Sequence, residues 1–301
     1  MISIGDPSGT RIGVLDVGSN SVRLLVADVA DGQVLSIHKE RITSRLMSGF
    51  SDGLLDEGAI ERTARAIELL AGKARALGAQ TVAGFGTSAL REGTNRALLI
   101  ARAERAGVPI AVVSGEREAD LAYAGAAPAG RRGVIDIGGG STELSAGEDG
   151  RVLVARSAQI GAVRLCEALG GAMRPDDMLL AARAALSPAW DAIASHPSDG
   201  WTGVGGTVTT LAAMTLALSP YDPARVEGFL VTVQAARGWL DRLCAMPLEA
   251  RTQIVGLNPD RADIIPFGAA ILCAFFDLSN VPHISASDSD NLLGYARMGI
   301  I

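Results

Sequence analysis

Val14-Leu15-Asp16-Val17-Gly18-Ser19-Asn20-Ser21 and Val134-Ile135-Asp136-Ile137-Gly138-Gly139-Gly140-Ser141 are two versions of one device, one in each half of the chain. In each, an apolar run reads as a buried strand, ends in an aspartate and breaks into a Gly/Ser turn. A second strand follows each turn, Val22 to Val26 and Thr142 to Ala146. Consecutive backbone N–H groups in such a turn cradle anionic oxygens, and glycine lets the backbone come close. The hydroxyls of Ser19, Ser21 and Ser141 add donors. An aspartate at the strand end can hold a hydrated cation or orient a water. One copy alone is an ordinary tight hairpin. Two copies with matched aspartates predict two lobes whose turns face each other and clamp adjacent phosphates.

Strands and helices alternate around both copies, so the class is α/β. Asp56 to Leu77 has apolar residues at spacings of three and four, with Gly78 placed to end the helix in a left-handed cap. Short strands are expected at Thr81 to Phe85 and Ile110 to Val113, and a helix at Asn95 to Ala106. Ser114 is placed to cap a helix running to about Ala124. The small and charged segment Ala126 to Arg132 marks a lobe boundary, giving lobes 1–124 and 125–301, with the final helix packing back on the first. Beyond it the chain reads as mostly helical: Pro175 to Ser195, Val208 to Leu218, Thr232 to Ala245 and Arg261 to Phe276. A strand near His283 to Ser285 and a helix after Asp290 complete it. A third glycine element, Gly203-Val204-Gly205-Gly206-Thr207, runs from a strand into a helix, and a helix N-terminus offers free amides to an anion. Gly84-Phe85-Gly86 lacks the third glycine and the acidic residue of a dinucleotide fingerprint.

Bulk properties exclude several classes. The length of 301 residues suits two domains, and 48% hydrophobic residues supply two cores. No apolar run approaches the roughly 18 residues of a membrane span. The polar stretch Met1 to Arg11 does not read as a signal peptide, so a cytoplasmic location is expected. Cys166, Cys244 and Cys273 are odd in number and lack metal-site spacing. A net charge of −6 argues against nucleic acid as a partner, though a local groove can still take a polyanion.

Four motifs stand in a telling order: Asp16-Val17-Gly18-Ser19-Asn20-Ser21, Thr87-Ser88-Ala89-Leu90-Arg91, Ser114-Gly115-Glu116-Arg117-Glu118-Ala119 and Asp136-Ile137-Gly138-Gly139-Gly140-Ser141-Thr142-Glu143. From about Gly13 to Ala274 the chain resembles the exopolyphosphatase / guanosine pentaphosphate phosphohydrolase (Ppx/GppA) family, in a short form without its C-terminal helical domain. The resemblance implies two ribonuclease-H-like (actin-like ATPase) lobes with an active-site cleft between them. It implies a phosphoanhydride hydrolase using Mg²⁺ or another divalent cation, acting on polyphosphate, with guanosine pentaphosphate as the alternative substrate. A non-catalytic sensor of guanosine tetra- or pentaphosphate is a further alternative.

By position, Glu118 matches the water-activating glutamate and Arg91 a phosphate-contacting arginine. Asp16, Asp136 and Glu143 match acids near the metal. Gly18, Ser19, Asn20, Ser21, Arg23, Gly138, Gly139, Gly140, Ser141, Gly205, Gly206 and Thr207 match the phosphate-binding loops. The helix dipole near Glu118 favours its ionised form, and Glu116 is the competing base. Two departures stand out: Arg45-Leu46-Met47 where the family has Arg-Leu-Gly, and Ser285 to Asn291, which lacks the family's arginine and first glycine. A homodimer is left open.

Overall fold

The computed structural model describes residues 9–30, 33–126 and 129–299. Most of the polar stretch Met1 to Arg11, and residues 127–128 of the boundary segment, lie outside them. β1 (Thr10–Val17) and β2 (Ser21–Ala30) form the first hairpin, with Asp16 opposite Arg23. β3 (Gln33–Thr43) adds antiparallel to β2, while β4 (Thr81–Gly86) and β5 (Ile110–Val112) add parallel on the other side. The order is β3-β2-β1-β4-β5. The second sheet repeats this path. β6 (Arg131–Ile137), β7 (Thr142–Glu148) and β8 (Arg151–Ala158) form the meander, with Asp136 opposite Glu143. β9 (Trp201–Val204) lies parallel to β6, and β11 (His283–Ala286) parallel to β9. The short β10 (Leu230–Thr232) closes the edge antiparallel to β11. The internal echo is thus a structural duplication: β8-β7-β6-β9-β11 retraces β3-β2-β1-β4-β5.

Helices cover the sheets. In the first half these are α1 (Glu57–Ala76), α2 (Ser88–Glu92), α3 (Ala97–Arg105) and α4 (Gly115–Ala126). The second half supplies α5 (Ala162–Ala168), α6 (Pro175–Ile193), α7 (Gly205–Thr215), α8 (Pro223–Val226) and α9 (Val233–Ala245). α10 (Leu248–Arg251), α11 (Ile265–Ser279) and α12 (Asn291–Arg297) follow. The sequence reading of α1 holds in detail. Asp56 caps it by accepting from the Ala59 N–H at 2.8 Å, and Gly78 takes the left-handed conformation at φ 89°. α11 is buried nearly all round, as an apolar helix without a polar face must be. It packs on α6, α9 and α5 in the second core. Among the described residues no helix is long and apolar enough to cross a membrane.

Two helices change partners. α4 packs on β6, β7 and β8 of the second sheet, and α12 packs on β1, β2 and β3 of the first and on α4 itself. The division expected after residue 124 therefore falls inside α4. Tyr295 stacks on Phe85 with ring centroids 4.9 Å apart, and Gly294 lets the two helices touch. A Cβ on Gly294 would lie 1.9 Å from the Leu121 carbonyl oxygen. Gly294→Ala should therefore cost about 1–3 kcal/mol, the usual penalty for overpacking a tight contact. It should appear as a lower urea midpoint with an unchanged slope; a midpoint equal to the parent's would show that the contact yields freely.

Candidate active site

Both turns are built alike. The Gly18 N–H donates to the Ser21 carbonyl at 3.0 Å, and the Gly138 N–H to the Ser141 carbonyl at 3.0 Å. Each turn also receives N–H groups from the chain that follows its meander: Met47 donates to the Ser19 carbonyl and Val163 to the Gly139 carbonyl, both at 2.9 Å. The turns face each other across a cleft. Its lining includes Asp16, Gly18, Ser19, Asn20, Ser21 and Arg23 from the first lobe and Asp136, Gly138, Gly139, Gly140 and Ser141 from the second. Gly205, Gly206, Thr207 and Glu118 complete the expected set on this wall. Gly205 takes φ 79°, and a Cβ there would lie 2.1 Å from Asp136 Oδ1. The start of α7 is thereby pressed against the second aspartate.

Glu118 enters from the first turn of α4. Ser114 caps that turn as expected, its Oγ accepting from the Arg117 N–H at 3.1 Å. Arg91 and Glu143 do not line the cleft; they stand behind Glu118. Arg91 donates to Glu118 Oε2 at 2.5 Å, to the Val113 carbonyl at 3.2 Å and to Ser141 Oγ at 3.4 Å, with Glu143 Oε1 at 3.9 Å. Ser157 donates to Glu143 Oε1 at 2.7 Å. The direct partner of Arg91 here is the candidate base.

Burial dominates the electrostatics. Loss of solvent pushes Glu118 up to about 7, against the pull of the Arg91 charge and hydrogen bond. The helix-dipole argument for a readily ionised Glu118 is thus outweighed by desolvation. Burial, and then the neighbouring Glu118 and Asp136, raise Glu143 well above its ordinary value. Burial also lifts Asp136 to about 6 and raises Asp16 despite Arg23.

Four polar lining groups, Thr87, Ser88, Arg261 and Asn291, were not singled out as site residues by sequence. Arg261 faces Gly206 so closely that a Cβ there would lie 1.5 Å from its Nη1. Burial first, then Arg41 and Arg23, push Arg261 down to about 9, so it stays cationic at neutral pH. Its position at the start of a predicted helix gave no hint of this. Ser88 and Asn291 also line the cleft. Ser88 lies in a quoted motif, and Asn291 in the stretch marked as atypical.

Asp16 Oδ1 and Glu143 Oε2 are buried without a hydrogen-bond partner among the described residues. A buried carboxylate oxygen with no donor suits a hard cation. Asp16, Asp136 and Glu143 are not gathered as a ready ligand set, since no cluster of three His, Cys, Asp or Glu at metal-holding spacing occurs among the described residues. Mg²⁺ characteristically keeps several waters and takes only one or two carboxylates. The two cleft aspartates fit that habit.

The two-sheet duplication with a phosphate-loop cleft defines an actin-like ATPase fold, and comparison with known proteins narrows it. The Ppx/GppA phosphatase family model matches residues 25–289, and the chain belongs to this family. It is 31% identical to exopolyphosphatase 2 of Mycobacterium tuberculosis, covering 95% of this chain and 98% of that protein. It is 32% identical to a guanosine-5'-triphosphate,3'-diphosphate pyrophosphatase of Vibrio cholerae over 89% of this chain but 54% of that protein. Among solved structures, an exopolyphosphatase from Cytophaga hutchinsonii superposes with a TM-score of 0.86 at 26% identity, covering 96% of this chain and 98% of that one.

Arg91→Lys removes the planar fork that reaches Glu118, Val113 and Ser141 together. Turnover should fall by about tenfold or more with a smaller change in the Michaelis constant, the pattern of a group acting on the base. A raised Michaelis constant with full turnover would return Arg91 to direct substrate contact.

Proposed function

We propose that the protein hydrolyses the terminal phosphoanhydride bond of inorganic polyphosphate, with Glu118 as general base. The observation that carries this reading is a single cleft in which a carboxylate tuned to about 7 stands beside two facing phosphate-cradling turns. Catalysis of this kind asks for neutralised oxygens, a placed water and a proton acceptor. The turn amides, the hydroxyls of Ser19, Ser21 and Ser141, and the cation Arg261 supply the first. Glu118 takes the proton of a water as its oxygen attacks the terminal phosphorus. The bond to the bridging oxygen breaks, releasing orthophosphate and a chain one unit shorter. Arg91 fixes the attacking geometry by holding Glu118. Asp16 and Asp136 would hold a divalent cation, Mg²⁺ by preference, with Glu143 behind them; the ion would neutralise charge on the phosphate oxygens. Arg23 and Arg261 are placed on the same cleft and favour a polyanion over a neutral ligand.

Guanosine pentaphosphate offers the same terminal bond and is the second reading, supported by the name of the Vibrio relative. The two sheets are the centres of two lobes that close on substrate, and closure would exclude bulk water from the base.

Phosphate release from long polyphosphate, short polyphosphate, guanosine pentaphosphate and ATP, measured side by side, tests the reading. Long polyphosphate should be the best substrate, and excess chelator should stop turnover. Tight binding of guanosine pentaphosphate with release from none of the four would establish a sensor instead. Glu118→Gln should lower turnover by about 10²–10⁴, the range for a general base, while Glu116→Gln should change it by less than about threefold. Because the base must be ionised, kcat/KM should climb about tenfold per pH unit below a midpoint near pH 7 and level off above it. A flat profile between pH 5 and 8 would remove Glu118 from the role.

A further inference from the structure

The segment that leaves β11 crosses from the second sheet to the first and brings two polar side chains against Arg23, of which Asn291 lines the cleft. Asp290 and Asn291 are both buried. Asp290 Oδ1 caps α12 by accepting from the Leu292 N–H at 3.2 Å, and its Oδ2 accepts from Arg23 Nη1. Asn291 Oδ1 accepts from Arg23 Nη2 at 3.4 Å, and Asn291 lines the same cleft as Asp136. Arg23 donates through Nε at 2.9 Å, and again through Nη2, to Asp16 Oδ2. Nearly all the N–H donors of this guanidinium are therefore committed to protein acceptors. The backbone fixes this arrangement. A Cβ on Gly125 would lie 2.0 Å from the Asp290 carbonyl oxygen, so α12 begins pressed against α4, the helix that carries Glu118.

We propose that Asp290 and Asn291 are positioning residues: they hold Arg23 across the cleft, where it fixes Asp16. This rests on the hydrolase reading above. Arg23 then acts mainly as a brace for Asp16 rather than as a hand reaching for substrate. The link runs from Asp16 through Arg23 to Asp290 and Asn291, on the segment that leaves the second sheet. It ties the end of β1 to that segment, so the placement of Asp16 depends on it. The stretch in which the chain departs from its family's usual pattern thus builds a wall of its own.

The test separates the brace from the helix cap. Asn and Ser both cap helices well, but neither gives Arg23 a second carboxylate. Asp290→Asn and Asp290→Ser should keep the parent's melting temperature and lose turnover by about 10- to 100-fold, as removal of a ligand-orienting partner commonly does. Tripolyphosphate should bind them more tightly in calorimetry, because Arg23 is released toward the anion. In an Arg23→Ala background, Asp290→Ser should lower turnover no further, since the two residues act through one link. Parental turnover in Asp290→Asn and Asp290→Ser, or an undiminished loss in the Arg23→Ala background, overturns the proposal. If the parent releases phosphate from no substrate, the hydrolase reading fails separately. Calorimetry then decides: tighter binding in Asp290→Ser supports the brace, and unchanged binding overturns it.

Discussion

The structure turns on how carboxylates are kept out of water. Asp16, Asp136, Glu118 and Glu143 are all nearly inaccessible to solvent and lie around one cleft. Burying an anion is costly unless something compensates it. Arg23 answers for Asp16 and Arg91 for Glu118, while Glu143 accepts from Ser157. What remains uncompensated, above all the free oxygen of Asp16, is the charge that a cation would satisfy. The same burial that makes the cleft expensive to fold raises Glu118 to about 7, the range the proposed general base requires.

Duplication supplies the frame, and divergence supplies the chemistry. Asp16 stands opposite Arg23, and Asp136 opposite Glu143, at equivalent register positions of the two hairpins. The backbone is the same at both places, yet one lobe presents a cation and the other an acid. A symmetric pair of facing turns thereby acquires a direction, with Glu118 and Arg91 on one side and Arg23 on the other.

Much of this was legible in the sequence because it depended on local rules. The strand–Asp–turn echo located both hairpins, and the spacing of α1 and its Gly78 stop located that helix. The third strands, β3 and β8, were not legible. Gln33 to Thr43 exposes or half-exposes every residue, so no alternation of buried and open positions marks it as a strand. α5 is short and has no side-chain cap, and its Arg164 reaches the Gly140 carbonyl at 2.7 Å only through tertiary placement. Of the cleft, the loops and Glu118 could be read from motifs. Arg261, Asp290 and Asn291 could not, because their roles exist only once distant segments converge. The electrostatics of Glu118 divide in the same way: a helix dipole is visible in sequence, whereas desolvation belongs to the assembled cleft.

The crossing of α4 and α12 bears on how the molecule comes apart. Each sheet is covered in part by a helix encoded in the other half of the chain, α4 over the second and α12 over the first. Cutting the chain between the halves would leave Leu292 and Tyr295 on one fragment and the apolar surface they cover, with Phe85, on the other. Two hydrophobic cores ordinarily mean two independent melting units. Here neither half can lose its structure without stripping cover from its neighbour, so unfolding is expected to spread through both as one cooperative event.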